Sequence, residues 1–167
     1  MGILSRLFGG VPKDERDGLR LTEPEVWEIH AVSDPSLFLR SLPILVPEPG
    51  AVLYVEGTTD GSIREFLRGR ESAARVKVAY GTIWPRPDVH HILMTTNNLE
   101  CLAALVESES LGYLCNHLHV YRDDQMLLQW YDAWFDPIFI STTVPEELVA
   151  RFAGALKLPY SKTPYAS

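Results

Sequence analysis

The chain has 167 residues, of which 46% are hydrophobic and 22% charged; this predicts one globular domain and excludes disorder of the whole chain. The formal net charge is −7 and no cluster of Lys and Arg offsets it, so we expect no nucleic-acid partner. Uninterrupted apolar runs are only a few residues long, which predicts no membrane-spanning helix and no membrane partner.

The two cysteines, Cys101 and Cys115, are too few for a disulfide framework, so we expect reduced thiols in a cytoplasmic protein. The first ten residues lack the long apolar segment and the cleavage site of a secretory signal. We predict a mobile N-terminal arm over residues 1–20, a single domain over 21–160, and a loose C-terminal tail over 161–167.

The first half of the chain predicts alternating strands and helices. Val26–Ala31 is a candidate first strand, and Asp34 followed by Pro35 predicts a helix start, because Asp caps a helix and Pro suits its first turn. Prolines and a glycine between Pro43 and Gly50 predict a loop. Short runs of β-forming residues then predict three more strands: Ala51–Glu56, Val76–Tyr80 and Val89–Met94.

The second half predicts a helix, a hairpin, a short strand and a final helix. Asn97 is a candidate N-cap with Glu100 placed to complete a capping box, and Thr143 with Glu146 repeats that pattern. The tail that follows is polar. The order of elements favours a single compact α+β domain with a mixed, mostly antiparallel sheet and three or four helices packed on it.

The predicted hairpin gathers most of the candidate ligands. With Asp123 and Asp124 as the two loop residues, His119 lies opposite Leu128 and His117 opposite Trp130. One face of the hairpin then carries this set: Cys115, His117, His119, Tyr121, Met126, Leu128, Trp130 and Asp132.

Two interpretations of that face stay open. Met126, Leu128 and Trp130 favour a buried core face in which the histidines are hydrogen-bonded and the thiol is inert. The alternative is a metal- or thiol-dependent enzyme centred on Cys115, His117, His119 and Asp132, because imidazoles two residues apart on one strand can share a metal ion or activate a thiol.

The stretch from Leu53 to Asp60 resembles the first motif of TOPRIM domains, which occur in primases, topoisomerases and related nucleases. That motif is a strand ending in Glu-Gly, here Glu56-Gly57, with an Asp after it and then a helix. The family also has Asp-x-Asp after a later strand, where it holds a divalent metal together with the Glu. Here the later strand ends in residues 95–97, Thr-Thr-Asn, which cannot supply that charge.

Aromatic residues are dense between Trp130 and Phe139, and most are expected in the core. The surplus predicts a partner surface, with a second candidate in the Trp84-Pro85-Arg86-Pro87 loop.

We expect a non-enzymatic, cofactor-free protein-binding module of an adaptor or immunity-like kind, acting through an aromatic, acidic surface. Its partner is predicted to be another protein or a second copy in a homodimer. A third interpretation is a small-molecule pocket between the sheet and a helix. The predicted partner-binding residues are Trp84, Arg86, Tyr131, Trp134 and Phe135.

Overall fold

Seven strands form one antiparallel sheet in the computed structural model, which describes residues 17–30, 32–47, 49–58, 61–73, 75–79, 82, 87–107 and 114–165. Their order across the sheet is β3-β2-β4-β5-β6-β1-β7. The strands are β1 (Glu25–Ile29), β2 (Val52–Glu56), β3 (Val89–Leu93), β4 (His117–Arg122), β5 (Gln125–Trp130), β6 (Ile138–Ser141) and β7 (Tyr160–Pro164).

Four helices accompany the sheet within the described ranges, which confirms the predicted single α+β arrangement. They are α1 (Pro35–Leu45), α2 (Gly61–Arg68), α3 (Thr96–Val106) and α4 (Glu146–Leu156). α1 lies between α3 and α4, and the three pack together over one face of the sheet. None of the described helices is long and apolar enough to span a membrane.

α1 begins as predicted and ends later than predicted. The Asp34 side chain accepts a hydrogen bond of 2.8 Å from the Leu37 N–H, and Pro35 occupies the first turn. The predicted loop begins after Leu45 and not at Pro43, because the helix continues through Pro43. Pro43 removes one N–H donor near the end of the helix, and Leu45 beyond it is buried.

The sheet has two buried faces of different character. The helix side is apolar, whereas the other side, called here the second face, carries many polar side chains. Two extended segments cover part of the second face and bond to each other through Leu19 N–H to Lys77 O and Ala79 N–H to Leu19 O. The predicted strand Val76–Tyr80 is therefore wrong, because its described part forms an isolated bridge from Val78 to Leu19. Buried polar or aromatic residues of the second face include Tyr54, Glu56, His91, His117, His119, Tyr121 and Gln129.

The β4–β5 hairpin has the predicted two-residue turn, and Arg122 pairs with Gln125. A β-bulge then shifts the register, so that His119 faces Gln129 instead of Leu128. The predicted face is therefore wrong beyond the bulge. A shift of one residue exchanges the two sides of a strand, so Trp130 joins the helix-side core and the histidines remain on the second face.

Both chain ends depart from the prediction. The loose tail is wrong for residues 161–164, because Tyr160–Pro164 forms β7 and pairs with β1. Main-chain bonds stabilise this edge strand even though its side chains are polar, and Trp27 packs against Tyr160 at 5.9 Å between ring centroids. At the other end, residues 1–16 lie outside the described residues. The domain already includes Leu19, which belongs to the predicted arm.

The two predicted capping boxes do not form. Thr95, not Asn97, caps α3 by accepting from the Asn98 N–H at 3.1 Å, because the helix begins immediately after β3. At α4 the N-cap residue is Pro145, which makes no side-chain cap bond. Thr143 instead bonds to Ser141 at the end of β6.

Replacing Lys157 with glycine is expected to stabilise the domain by about 0.5–1 kcal/mol. Lys157 ends α4 with φ of 57°, a left-handed conformation in which a Cβ atom is strained and glycine is not. Urea unfolding measures the effect. Lys157→Ala is the control, because it removes the charge and keeps the Cβ. Equal stability of the two variants would contradict a strained cap.

Candidate functional site

Polar and aromatic residues that the sequence analysis named as candidates lie together at one end of the sheet. The register pairs Glu56 with His117 and Leu118 with Trp130, so β2 ends beside the start of β4 and the end of β5. The chain then continues into the segment Asp132–Asp136, called here the Phe135 loop. Strand register therefore positions this site, because its residues are far apart in the sequence.

A buried polar cluster lies on the second face at this end. Glu56 is only 1% exposed, and its carboxylate accepts hydrogen bonds from the Tyr54 hydroxyl and from the Thr82 N–H, the latter at 2.7 Å. Burial, followed by the bond to Glu56, raises the pKa of Tyr54 well above its usual value, so Tyr54 stays a donor. His117 Nε2 lies 3.0 Å from the Thr82 hydroxyl and 3.8 Å from Glu56 Oε1.

Backbone N–H groups determine which nitrogen of each histidine carries the hydrogen. The Asp132 N–H donates to His117 Nδ1 at 3.0 Å, and the Trp130 N–H donates to His119 Nδ1 at 3.2 Å. Each Nδ1 lone pair is therefore occupied, so the neutral rings carry their hydrogen at Nε2. Of the two Nε2 atoms, that of His117 lies within hydrogen-bond distance of the Thr82 hydroxyl.

These hydrogen bonds disfavour both metal binding and general-base catalysis by the two histidines. A histidine that binds a metal through Nε2 donates its other N–H to an acceptor, whereas Nδ1 of His117 and His119 faces a donor. In the described part of the chain, no three His, Cys, Asp or Glu side chains are grouped so that they could hold a metal ion. His117 also cannot accept the Thr82 proton as a general base, because its Nε2 already carries a hydrogen.

The residues of the enzyme alternative do not converge. Cys115 is 2% exposed and packs in the helix-side core, where burial, and then the charge of Glu56, raises the pKa of its thiol. Such a thiol stays protonated and is a poor nucleophile. His117 and His119 lie on the second face, and Asp132 is exposed beyond the end of β5.

His119 is the most deeply buried titratable group of the cluster, with no exposed surface. Burial, and then the neighbouring His117, lowers the pKa of His119 to about 3. Its Nε2 has no hydrogen-bond partner among the described residues, while the Tyr131 ring lies 4.8 Å away between centroids. His119 therefore remains a neutral, packed side chain at physiological pH.

The Phe135 loop is closed by its own hydrogen bonds. The N–H groups of Phe135 and Asp136 both donate to the Asp132 carbonyl, at 3.0 and 3.1 Å, and the Ala133 N–H donates to the Asn116 carbonyl at 2.7 Å. Two non-glycine residues have positive φ, 38° at Asp132 and 82° at Trp134. Phe135 is nevertheless 91% exposed. The loop is thus both strained and well tied to the domain.

The predicted partner-binding aromatics divide into two groups. Trp134 is half-buried and lies 4.5 Å from Trp130 between ring centroids. The Tyr131 hydroxyl donates to the Ala79 carbonyl at 2.9 Å, which ties the loop end to the segment over the second face. Of the three described candidates, only Phe135 is fully presented to solvent. Trp84 and Arg86 lie outside the described residues.

A cleft of about 370 Å³ opens beside the Phe135 loop. Its other wall includes Asn116, which lies against Gly57 at the end of β2. Gly57 has φ of +81°, and a Cβ there would come within 2.7 Å of the Asn116 amide, so only glycine fits. The cleft is lined by Cys115, Asn116, Asp132, Ala133, Trp134, Phe135 and Asp136.

No known protein family, curated protein or solved structure matches this chain. The resemblance to TOPRIM domains thus rests only on the short motif from Leu53 to Asp60. In the structure the Glu56 carboxylate is engaged inside the protein by Tyr54 and Thr82, and Asp60 lies outside the described residues.

Sequence reasoning missed the contact between Glu56 and the histidine strand. One signal was present, because Tyr54 and Glu56 alternate with Leu53 and Val55 along β2. Such alternation indicates a strand whose two faces meet different surroundings. The contact of Thr82 with Glu56 left no comparable signal.

The free energy of unfolding is expected to fall as pH drops from about 6.5, because His119 binds a proton readily only in the unfolded chain. The unfolded state binds more protons between the folded pKa of about 3 and the ordinary value, so stability decreases toward low pH. His119 contributes at most about 1.4 kcal/mol per pH unit. Urea unfolding from pH 7 to 4.5 should show a shallower pH dependence for His119→Gln.

The reference is the wild-type chain, measured over the same pH range. An unchanged slope in His119→Gln would contradict a neutral, buried His119.

Proposed function

We propose that this protein is a non-enzymatic protein-binding module whose anchor is Phe135. The observation that carries the proposal is that Phe135 is 91% exposed on a loop closed by internal hydrogen bonds. Transfer of a phenylalanine side chain from water to an apolar site is worth roughly 1.5–3 kcal/mol, which is available to a partner with a complementary pocket.

The Phe135 loop is also prepared for binding. Its backbone bonds already restrict it, so little conformational entropy is lost when a partner contacts it. Positive φ at Asp132 and Trp134 costs of order 1–3 kcal/mol each. A conformation that is costly to the fold and displays an apolar ring is typical of a binding element.

Charge favours another protein over a second copy of this chain. Asp132 and Asp136 flank Phe135, and the chain carries a net charge of −7. A symmetric contact through the loop would bring these carboxylates together with those of the second copy. A partner with a basic rim gains complementary charge and a faster association.

A photo-reactive phenylalanine analogue, p-benzoylphenylalanine, in place of Phe135 is expected to cross-link one recurrent protein in the cells that express this chain. The matched control carries the analogue in place of Leu93, which is 43% exposed at the opposite end of the sheet. Mass spectrometry identifies the adducts. A specific adduct at position 135, absent at position 93, supports the proposal. Equal or absent adducts at both positions oppose it, and a cross-link to this same chain indicates a homodimer.

Phe135→Ala is expected to weaken the complex with the cross-linked protein by at least about 2 kcal/mol, a roughly 30-fold rise in Kd. Because Phe135 is exposed, the same substitution should leave thermal unfolding nearly unchanged. Calorimetric titration of the purified pair measures Kd. Leu93→Ala should bind like the wild type, and an unaffected Kd in Phe135→Ala would remove Phe135 as the anchor.

A further inference from the structure

The cleft beside the Phe135 loop presents hydrogen-bond acceptors, because most backbone donors of the loop are used inside the protein. The Asp132 N–H donates to His117 and the Ala133 N–H to Asn116. The N–H groups of Phe135 and Asp136 both donate to Asp132 O. Four of the five residues of the loop therefore direct their N–H groups to neighbouring protein atoms.

Apart from the side-chain amide of Asn116, the remaining surface of the cleft is apolar with an anionic rim. Ala133 and Trp134 pack against the helix-side core, and the Phe135 ring extends into solvent. Asp132 and Asp136 are exposed, and neither forms an ion pair with a cation in the described ranges. A ligand that fits this surface combines positive charge, several donors and a flat apolar face.

We propose, on the basis of the protein-binding role above, that this cleft receives an arginine side chain of the partner. A guanidinium group stacks on the ring of Phe135 and donates its N–H groups to the carboxylates of Asp132 and Asp136. The volume of about 370 Å³ lies at the lower end of the range for ligand pockets, which suits one side chain.

Other occupants fit this surface less well. An anion meets two carboxylates and finds four of the five loop N–H groups already bonded. A neutral apolar side chain would remove water from Asp132 and Asp136 without replacing its hydrogen bonds. Lysine supplies the charge as a compact ammonium group, without the planar face that stacks on Phe135.

Nuclear magnetic resonance titration of the full chain with N-acetyl-arginine amide tests the assignment without any partner. Saturable shifts are expected at the amides of Asn116 and of the Phe135 loop. N-acetyl-citrulline amide has nearly the same shape without the charge, and it should bind at least tenfold more weakly. Equal binding of citrulline, equal binding of N-acetyl-lysine amide, or arginine shifts spread over the surface would each overturn the proposal.

The double variant Asp132→Asn, Asp136→Asn is expected to weaken arginine binding at least tenfold. Asparagine keeps the shape of aspartate and tolerates the positive φ at position 132. Its matched control is Asp123→Asn, Asp124→Asn, which removes two exposed acids at the far end of the hairpin and should bind arginine like the wild type. Equal weakening by both double variants would indicate general charge attraction and would overturn the cleft as the site.

The two proposals fail in different ways. If arginine produces no cleft shifts but the cross-link from position 135 persists, the arginine assignment is overturned and the binding module stands. If arginine binds in the cleft and no protein cross-links from position 135, the cleft assignment is supported and the protein-binding role is overturned.

Discussion

The bulge in the β4–β5 hairpin is the local feature on which the site depends. It places Leu127 as an extra residue between the pairs Val120–Leu128 and Tyr121–Met126. Between the turn and the bulge, the residue pairs are those that a two-residue turn dictates. Beyond the bulge, each β5 side chain lies on the opposite face from the one that an unbroken register would give it. Trp130 thereby enters the helix-side core and brings the Phe135 loop to the edge of the domain, beside the start of β4.

The same register determines the chemistry of the histidines. Their Nδ1 atoms meet the backbone N–H groups of Trp130 and Asp132, so each ring is held in the form that carries hydrogen at Nε2. The spacing of the two histidines is compatible with a metal site or with thiol activation, but in the structure both side chains belong to the packed interior. Glu56 completes this interior by accepting hydrogen bonds from the Tyr54 hydroxyl and the Thr82 N–H.

Two neighbouring aromatic residues of the Phe135 loop have different roles: Trp134 contributes to packing, and Phe135 is the proposed binding residue. Trp134 turns inward with a positive φ and packs on Trp130, which leaves Phe135 outward. The hydrogen bonds that the loop N–H groups donate to the carbonyls of Asp132 and Asn116 offset the energetic cost of that backbone conformation. The acids on either side of Phe135 give the exposed ring an anionic setting, from which the basic partner and its arginine are inferred.

The sequence by itself determined the α+β class, the start of α1 at Asp34 and Pro35, and the two-residue turn at Asp123 and Asp124. These follow from local periodicity, capping and turn chemistry, which neighbouring residues decide. Only the tertiary structure decided the bulge, the pairing of β7 with β1, and the exposure of Phe135 beside a half-buried Trp134. Those outcomes depend on register and on competition for buried space between distant segments, and no local pattern in the chain encodes either one.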